Sequence, residues 1–324
     1  MPQAAADALA IEDLSIAFAG RGRQTTVVER VSLAVRPGEI VGLIGESGSG
    51  KTVAALSVLG LLPRGARVTG GTIHLDGTSV LGLAPWQLRA LRGNRVAFIP
   101  QDALRALNPS LTVGTQVGEP LVIHRRSGWA AARHRAGELL ASVHLREPAR
   151  RAAEYPHQFS GGMQQRAMIA MGIALEPRLL IADEPTTALD VTVQAQVLQL
   201  LREIRNRHGT AVLFITHDLG LVTELCDRVY VMYAGHVVEL GPVRALFARP
   251  AHPYTRALLR ATPTVHSVTT DLAAIPGQIP LPRDWPAGCH FAGRCPIAFA
   301  RCATLPPLLD VGEGHAARCW AATP

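Results

Sequence analysis

The segment Gly45-Glu46-Ser47-Gly48-Ser49-Gly50-Lys51-Thr52 constrains the fold of this 324-residue chain more than any other feature. It fits G-x-x-x-x-G-K-[ST], directly follows the strand-like run VGLI and precedes a helix-like run, Val53–Leu59. That strand, loop and helix context is what the pattern requires. Gly45, Gly48 and Gly50 let the backbone curl so that successive N–H groups face phosphate oxygens, and the helix N-terminus adds its positive dipole end. Ser47 and Ser49 belong to the same phosphate-binding set, Lys51 supplies a point charge to β/γ oxygens, and the Thr52 hydroxyl can ligate Mg2+. Of 32 basic side chains, all but Lys51 are arginine. Arginine does not replace a compact ammonium that must fit among phosphates. The loop therefore reads as a nucleoside-triphosphate site rather than an ordinary Gly/Ser turn.

Three short apolar runs read as buried strands: Ile40–Ile44, Leu179–Ala182 and Val212–Thr216. Each ends in a polar segment, GESGSGKT, DEPTTALD and HDLG respectively. Buried strands with polar chemistry at their carboxyl ends are the pattern of an α/β sheet that binds ligands along that edge. The run Leu179-Leu180-Ile181-Ala182-Asp183-Glu184 supplies the second half of the expected site. Asp183 is placed near the metal, and Glu184, one residue further, where it can polarise an attacking water. Residues 102–177 contain no apolar β run and read as an inserted helical subdomain.

Composition limits the remaining classes. No apolar run approaches the roughly 18–20 residues of a membrane span, and MPQAAADALA lacks the basic start of a signal peptide. The chain is expected to stay in the cytoplasm. The formal charge of +7 comes from basic residues spread along the chain, which reads as a solvated Arg-rich surface rather than a nucleic-acid footprint. Twelve of the 23 prolines fall after residue 240, and four of the five cysteines lie between Cys289 and Cys319. The expected organisation is a compact domain over residues 1–240 and a Pro-rich, loop-dominated extension over 241–324.

Phe159-Ser160-Gly161-Gly162-Met163-Gln164-Gln165-Arg166, preceding Asp183 and followed by an apolar helix-like run, resembles the signature motif of ABC ATPases. Phe159 replaces the usual Leu and Met163 the usual Gln, while the Ser-Gly-Gly core is intact. The resemblance implies a P-loop NTPase core of α/β class, with an antiparallel β subdomain and the helical insertion. It also implies that Ser160, Gly161, Gly162 and Gln164 complete the ATP site of an opposing subunit in a head-to-tail dimer. Further residues match in family order. Gln101 looks like the Q-loop residue that senses Mg2+ and contacts a membrane partner; Ala188-Leu189-Asp190 resembles the D-loop. His217 looks like the switch histidine, and Phe18 is placed like the aromatic that stacks on adenine. One cassette per chain, and only a short stretch between Gln101 and Ser160, disfavour the nucleic-acid-associated members of the family. Lys51, Asp183, Glu184 and His217 argue against a binding-only cassette.

GGMQQR, VMYAG, HPYTRALL and the late cysteines narrow the resemblance to the D-type ATPase of dipeptide and oligopeptide permeases. It implies a peripheral subunit on the cytoplasmic face of a bacterial inner membrane. The implied partners are a related F-type ATPase, two transmembrane permease subunits and, indirectly, an extracytoplasmic peptide-binding protein, with no nucleic acid. Nickel or glutathione are alternative solutes. Cys289, Cys295, Cys302 and Cys319 are separated by five, six and sixteen residues. Four thiolates in about thirty residues can hold a metal centre, and a cytosolic setting disfavours disulfides. The spacing lacks the C-x2–4-C knuckle usual for Zn2+; the resemblance implies a [4Fe–4S] cluster, with Zn2+ and free thiols as alternatives. Cys226 reads as an ordinary buried thiol.

Overall fold

The computed structural model describes residues 6–20, 24–125, 127–261 and 275–322. The chain divides into two compact units, Met1–Leu9, Val35–Glu39 and Leu75–Phe214 in one, and Ala10–Ala34, Ile40–His74 and Ile215–Pro324 in the other.

In the first unit, the strands Val96–Ile99 and Leu179–Asp183 pair in parallel, with Val96 opposite Leu179 and Ile99 opposite Ala182. The strand Ala211–Thr216, whose first four residues belong to this unit, neighbours Leu179–Asp183 on its other side. Leu179 to Ala182 are fully buried, as the unbroken apolar run demands of a strand covered on both faces. Between 103 and 173 the regular elements among the described residues are helices, the longer ones at Val113–Arg125, Trp129–Ser142 and Gly161–Ile173. Asp190 starts the helix Val191–His208 by accepting the Val193 N–H at 3.0 Å, and Gly209 ends it in the left-handed conformation. These are the start and stop chemistries expected of an independently delimited helix.

In the second unit, Ile40–Ile44 pairs in parallel with Arg228–Tyr233, which pairs antiparallel with His236–Pro242. The extension departs here from a loop-dominated appendage. Its strand His315–Ala317 pairs antiparallel with His236–Pro242, and Leu309–Gly312 pairs with His315–Ala317. The strand His236–Pro242 also runs across the expected boundary at 240. Tyr254, on the helix Pro253–Ala261, and Phe291 are essentially fully buried. Their rings lie 4.6 Å and 5.2 Å from that of Tyr233, in tilted and edge-on arrangements. Aromatic side chains carry large apolar areas, so two of them suffice to root a Pro-rich segment. Glu239 supplies a polar anchor. Its buried carboxylate accepts the Ala251 and His252 N–H groups at 2.6 Å and 3.0 Å and lies 2.7 Å from His315 Nε2. A buried carboxylate is tolerated where its oxygens are bonded in this way.

Among the described residues, no helix is long and apolar enough to cross a membrane.

Candidate nucleotide site and cysteine centre

The phosphate loop leaves the buried strand Ile40–Ile44 and enters the helix Lys51–Val58. Gly45 lies at φ 151°, and a Cβ there would stand 2.1 Å from the Met232 carbonyl oxygen, so the loop runs against the neighbouring strand as only glycine permits. Ser49 is buried, with its N–H bonded to Glu46 O at 3.2 Å and its carbonyl accepting the Gly235 N–H at 3.0 Å. Lys51 is 6% exposed. Its Nζ donates to Gly45 O at 2.7 Å, Glu46 O at 3.0 Å and Ser49 Oγ at 3.4 Å. The ammonium is thus held inside the curve of its own loop, while Ser47 and Thr52 are exposed.

Two side chains from the extension reach this loop, and neither was assigned a role from sequence. The Tyr254 hydroxyl accepts the Glu46 N–H at 2.9 Å. Arg294 Nη1 donates to Glu46 Oε2 at 2.8 Å and to the Tyr233 hydroxyl at 3.3 Å, and other guanidinium nitrogens bond Pro276 O and Ile275 O. HPYTRALL was the only local signal for Tyr254; Arg294 has none. Charge-assisted bonds of this type contribute about 1.5–3 kcal/mol, discounted here because Glu46 keeps a quarter of its side-chain surface. Arg294→Ala is therefore expected to lower stability by roughly 1–2 kcal/mol. It should raise KM for ATP several-fold with little change in kcat; urea melts and steady-state ATPase assays measure both, and an unchanged KM would break the link.

The same unit holds Phe18, partly buried near the end of the strand Leu9–Ala19, and His217, exposed after the strand Ala211–Thr216. Asp218 fixes the chain there by accepting the Gly220 and Leu221 N–H groups at the start of the helix Leu219–Leu225.

The first unit gathers the acidic and signature residues. Asp183, 4% exposed, ends its strand. Glu184 sits in the left-handed region at φ 47°, a conformation that a non-glycine residue adopts under constraint. Its Oε2 accepts from Gln101 Nε2 at 2.9 Å and from Thr187 Oγ1 at 3.0 Å. Thr187 is a further site residue, given no role in the sequence analysis. Ser160 caps the helix Gly161–Ile173 by accepting the Met163 N–H at 3.4 Å. A Cβ on Gly162 would lie 2.6 Å from Val193 Cγ1, so the signature turn is pressed against the helix that follows Asp190. Gln164 is buried and donates to Pro156 O at 2.8 Å and Phe159 O at 3.3 Å, supporting that turn from within. One cleft joins Gln101, Gly161, Gln164, Thr187, Ala188 and Leu189.

Cys289, Cys295, Cys302 and Cys319 line a single apolar cavity with Phe291 and Trp320. The Cys289 N–H bonds Cys302 O at 2.9 Å. Burial, opposed by a backbone N–H at Phe291 and reinforced by the neighbouring thiols, pushes Cys289 up to about 11. Burial likewise raises Cys295 and Cys319. Among the described residues, no three of these sulfurs lie within 4.8 Å of one another. Cys226 packs in the hydrophobic core, where burial raises its thiol.

Comparison with known proteins spans both parts of the chain. The ABC transporter family profile matches residues 28–187, and the profile of the oligopeptide/dipeptide transporter C-terminal region matches residues 238–302. A probable peptide ABC transporter ATP-binding protein of Sinorhizobium fredii is 50% identical over 96% of this chain and 94% of its own length. A putative peptide import ATP-binding protein of Brucella abortus is 47% identical over the same shares. Among solved structures, a dimeric ATP-binding cassette in a post-hydrolysis state with ADP and Pi is 28% identical. It covers 73% of this chain and 99% of its own, with a TM-score of 0.66. The cbiO1 protein of Clostridium perfringens, part of the cbiONQ transporter complex, is 25% identical, covers 75% and 91%, and has a TM-score of 0.63.

Proposed function

The chain belongs to the ABC transporter ATP-binding family, and from that premise we propose that it hydrolyses ATP to drive import of di- or oligopeptides. The observation that carries this reading is near full-length similarity to peptide-import ATP-binding proteins, extending through the C-terminal region. In this proposal Lys51 binds the β/γ-phosphate oxygens, Gly45, Ser47, Gly48, Ser49 and Gly50 wrap the phosphates, and Phe18 stacks on adenine. Thr52, Gln101 and Asp183 are the residues assigned to Mg2+, which when bound supplies charge neutralisation on the phosphates. Glu184 takes up the proton as the water oxygen bonds to the γ-phosphorus and the bond to the ADP oxygen breaks. His217 contacts the γ-phosphate, and Ser160, Gly161 and Gly162 close on ATP held by a second subunit.

The four cysteines fit a [4Fe–4S] cluster on their shared cavity, and we assign it a structural role, with Zn2+ the alternative. Bound by these four thiolates, such a group would cross-brace segments that Pro296 and Pro306-Pro307 keep out of regular structure. Anaerobically purified protein should contain iron and labile sulfide, both absent from a Cys302→Ser variant; protein with neither overturns the assignment.

We propose further that the chain works at the cytoplasmic face of the inner membrane, with two permease subunits and an F-type paralogue as ATPase partner. Purification of the native assembly tests this directly. The expected outcome is a complex of those subunits whose ATPase responds to peptide with its binding protein. Stimulation by nickel or glutathione instead would reassign the solute.

A further inference from the structure

Glu29 lies on the strand Gln24–Val35, His236 opens the strand His236–Pro242, and His290 follows Cys289. No role in nucleotide or thiolate chemistry accounts for this group. Yet among the described residues it is the one set of three His, Cys, Asp or Glu side chains whose ligand atoms all lie within 4.8 Å of one another. His236 Nε2 stands 3.5 Å from Glu29 Oε2, and the two imidazole rings are 4.4 Å apart.

The hydrogen bonding points to a ligand. His236 is 1% exposed, and neither of its ring nitrogens has a hydrogen-bond partner. Buried polar atoms are almost always bonded, and leaving one unbonded is unfavourable. His290, also buried, places Nδ1 2.6 Å from Ala234 O. A carbonyl only accepts, so Nδ1 carries the proton and Nε2 presents its lone pair. An imidazole whose far N–H is fixed on a backbone carbonyl is the usual orientation of a metal ligand. The Trp285 ring packs 4.7 Å from the His290 ring in a tilted arrangement.

We infer that Glu29, His236 and His290 form a binding site for a divalent transition-metal ion, Zn2+ by its donor chemistry. Two neutral imidazoles and one carboxylate are a borderline nitrogen and oxygen set, and three protein ligands leave a fourth position for water. Glu29 is about a third exposed and gives that position access to solvent. Both imidazole rings are buried. Arg30 and Arg318 are the cationic groups that act on this cluster and oppose metal binding. Arg318, however, directs Nε and Nη1 to Val237 O and Pro306 O, at 3.1 Å each. The ion would join a β strand, the turn at Gly235 and the segment bearing Cys289. Because the Gly235 N–H bonds Ser49 O, this clamp stands directly behind the phosphate loop.

The test is titration of the metal-stripped full-length protein with Co2+ and Zn2+. Nitrogen and oxygen ligation of Co2+ gives weak visible bands, whereas thiolate ligation adds intense near-ultraviolet charge transfer, so the cysteine centre is read separately. One Co2+ per chain with the nitrogen/oxygen spectrum, displaced by Zn2+ and retained in Cys289→Ser, is expected. His236→Ala and His290→Ala should abolish that signal. Glu29→Gln, at a solvent-facing position that does not threaten folding, should weaken binding by at least about tenfold. Wild-type protein showing only thiolate-ligated Co2+, or unchanged affinity in Glu29→Gln, would overturn the site whatever the cysteines hold.

Discussion

Glu184→Gln will bind ATP as tightly as the wild type and turn it over some 10²–10⁴-fold more slowly, the range general-base catalysis supplies. That range corresponds to about 3–5 kcal/mol of barrier. The substitution keeps shape and removes only the ability to accept a proton. Glu184 Oε2 already accepts from both Gln101 and Thr187, and a glutamine carbonyl oxygen can take over both bonds. The left-handed backbone at residue 184 strains Glu and Gln alike, so stability should change little. Lys51 and the loop carbonyls that hold it are untouched. Bound ATP then persists, and the closed dimer should accumulate on size exclusion in ATP and Mg2+. Steady-state phosphate release gives the rate; undiminished turnover would remove Glu184 from its assigned role.

What was legible in the sequence shares one property: the cause is local. Ile40–Ile44 and Leu179–Asp183 are strands buried along their length, so their apolar runs are continuous and end where the polar chemistry begins. The phosphate loop is legible because three glycines and one lysine must occur at fixed spacing to make it. The parts that were not legible join residues far apart in the chain. Tyr254 and Arg294 both meet Glu46 across some two hundred residues, and no periodicity records such a pairing. No sequence motif marks Glu239, yet it is fully buried, with His315 and two N–H groups from the next segment converging on it. Gln164, grouped by motif with the ATP-facing residues, spends its amide on Pro156 and Phe159. The cysteine spacing left zinc open, and the gathering of the four cysteines on one apolar cavity appears only in three dimensions.

Gly45→Ala should be among the most damaging single-methyl changes at the described glycines. At Gly45 the added carbon would stand 2.1 Å from Met232 O and 3.0 Å from Ser49 Oγ, with the backbone at φ 151°. Met232 belongs to the strand Arg228–Tyr233, paired to Ile40–Ile44 in register, so its carbonyl cannot retreat without breaking that pairing. Overpacking of about 1–3 kcal/mol adds to backbone strain of similar size. The expected loss is on the order of 3–5 kcal/mol, a large fraction of a domain's stability. If the chain relieves the clash by moving the loop instead, Gly45 O leaves Lys51 Nζ and ATP affinity falls. Gly48→Ala separates the two causes. Gly48 also has positive φ, at 82°, but nothing lies within 4 Å of its added carbon. It should therefore show strain alone, roughly 1–2 kcal/mol. Urea denaturation and binding of a fluorescent ATP analogue, run on both variants, measure the difference. Equal stability and equal affinity for Gly45→Ala and Gly48→Ala would mean that the contact with Met232 does not set the loop.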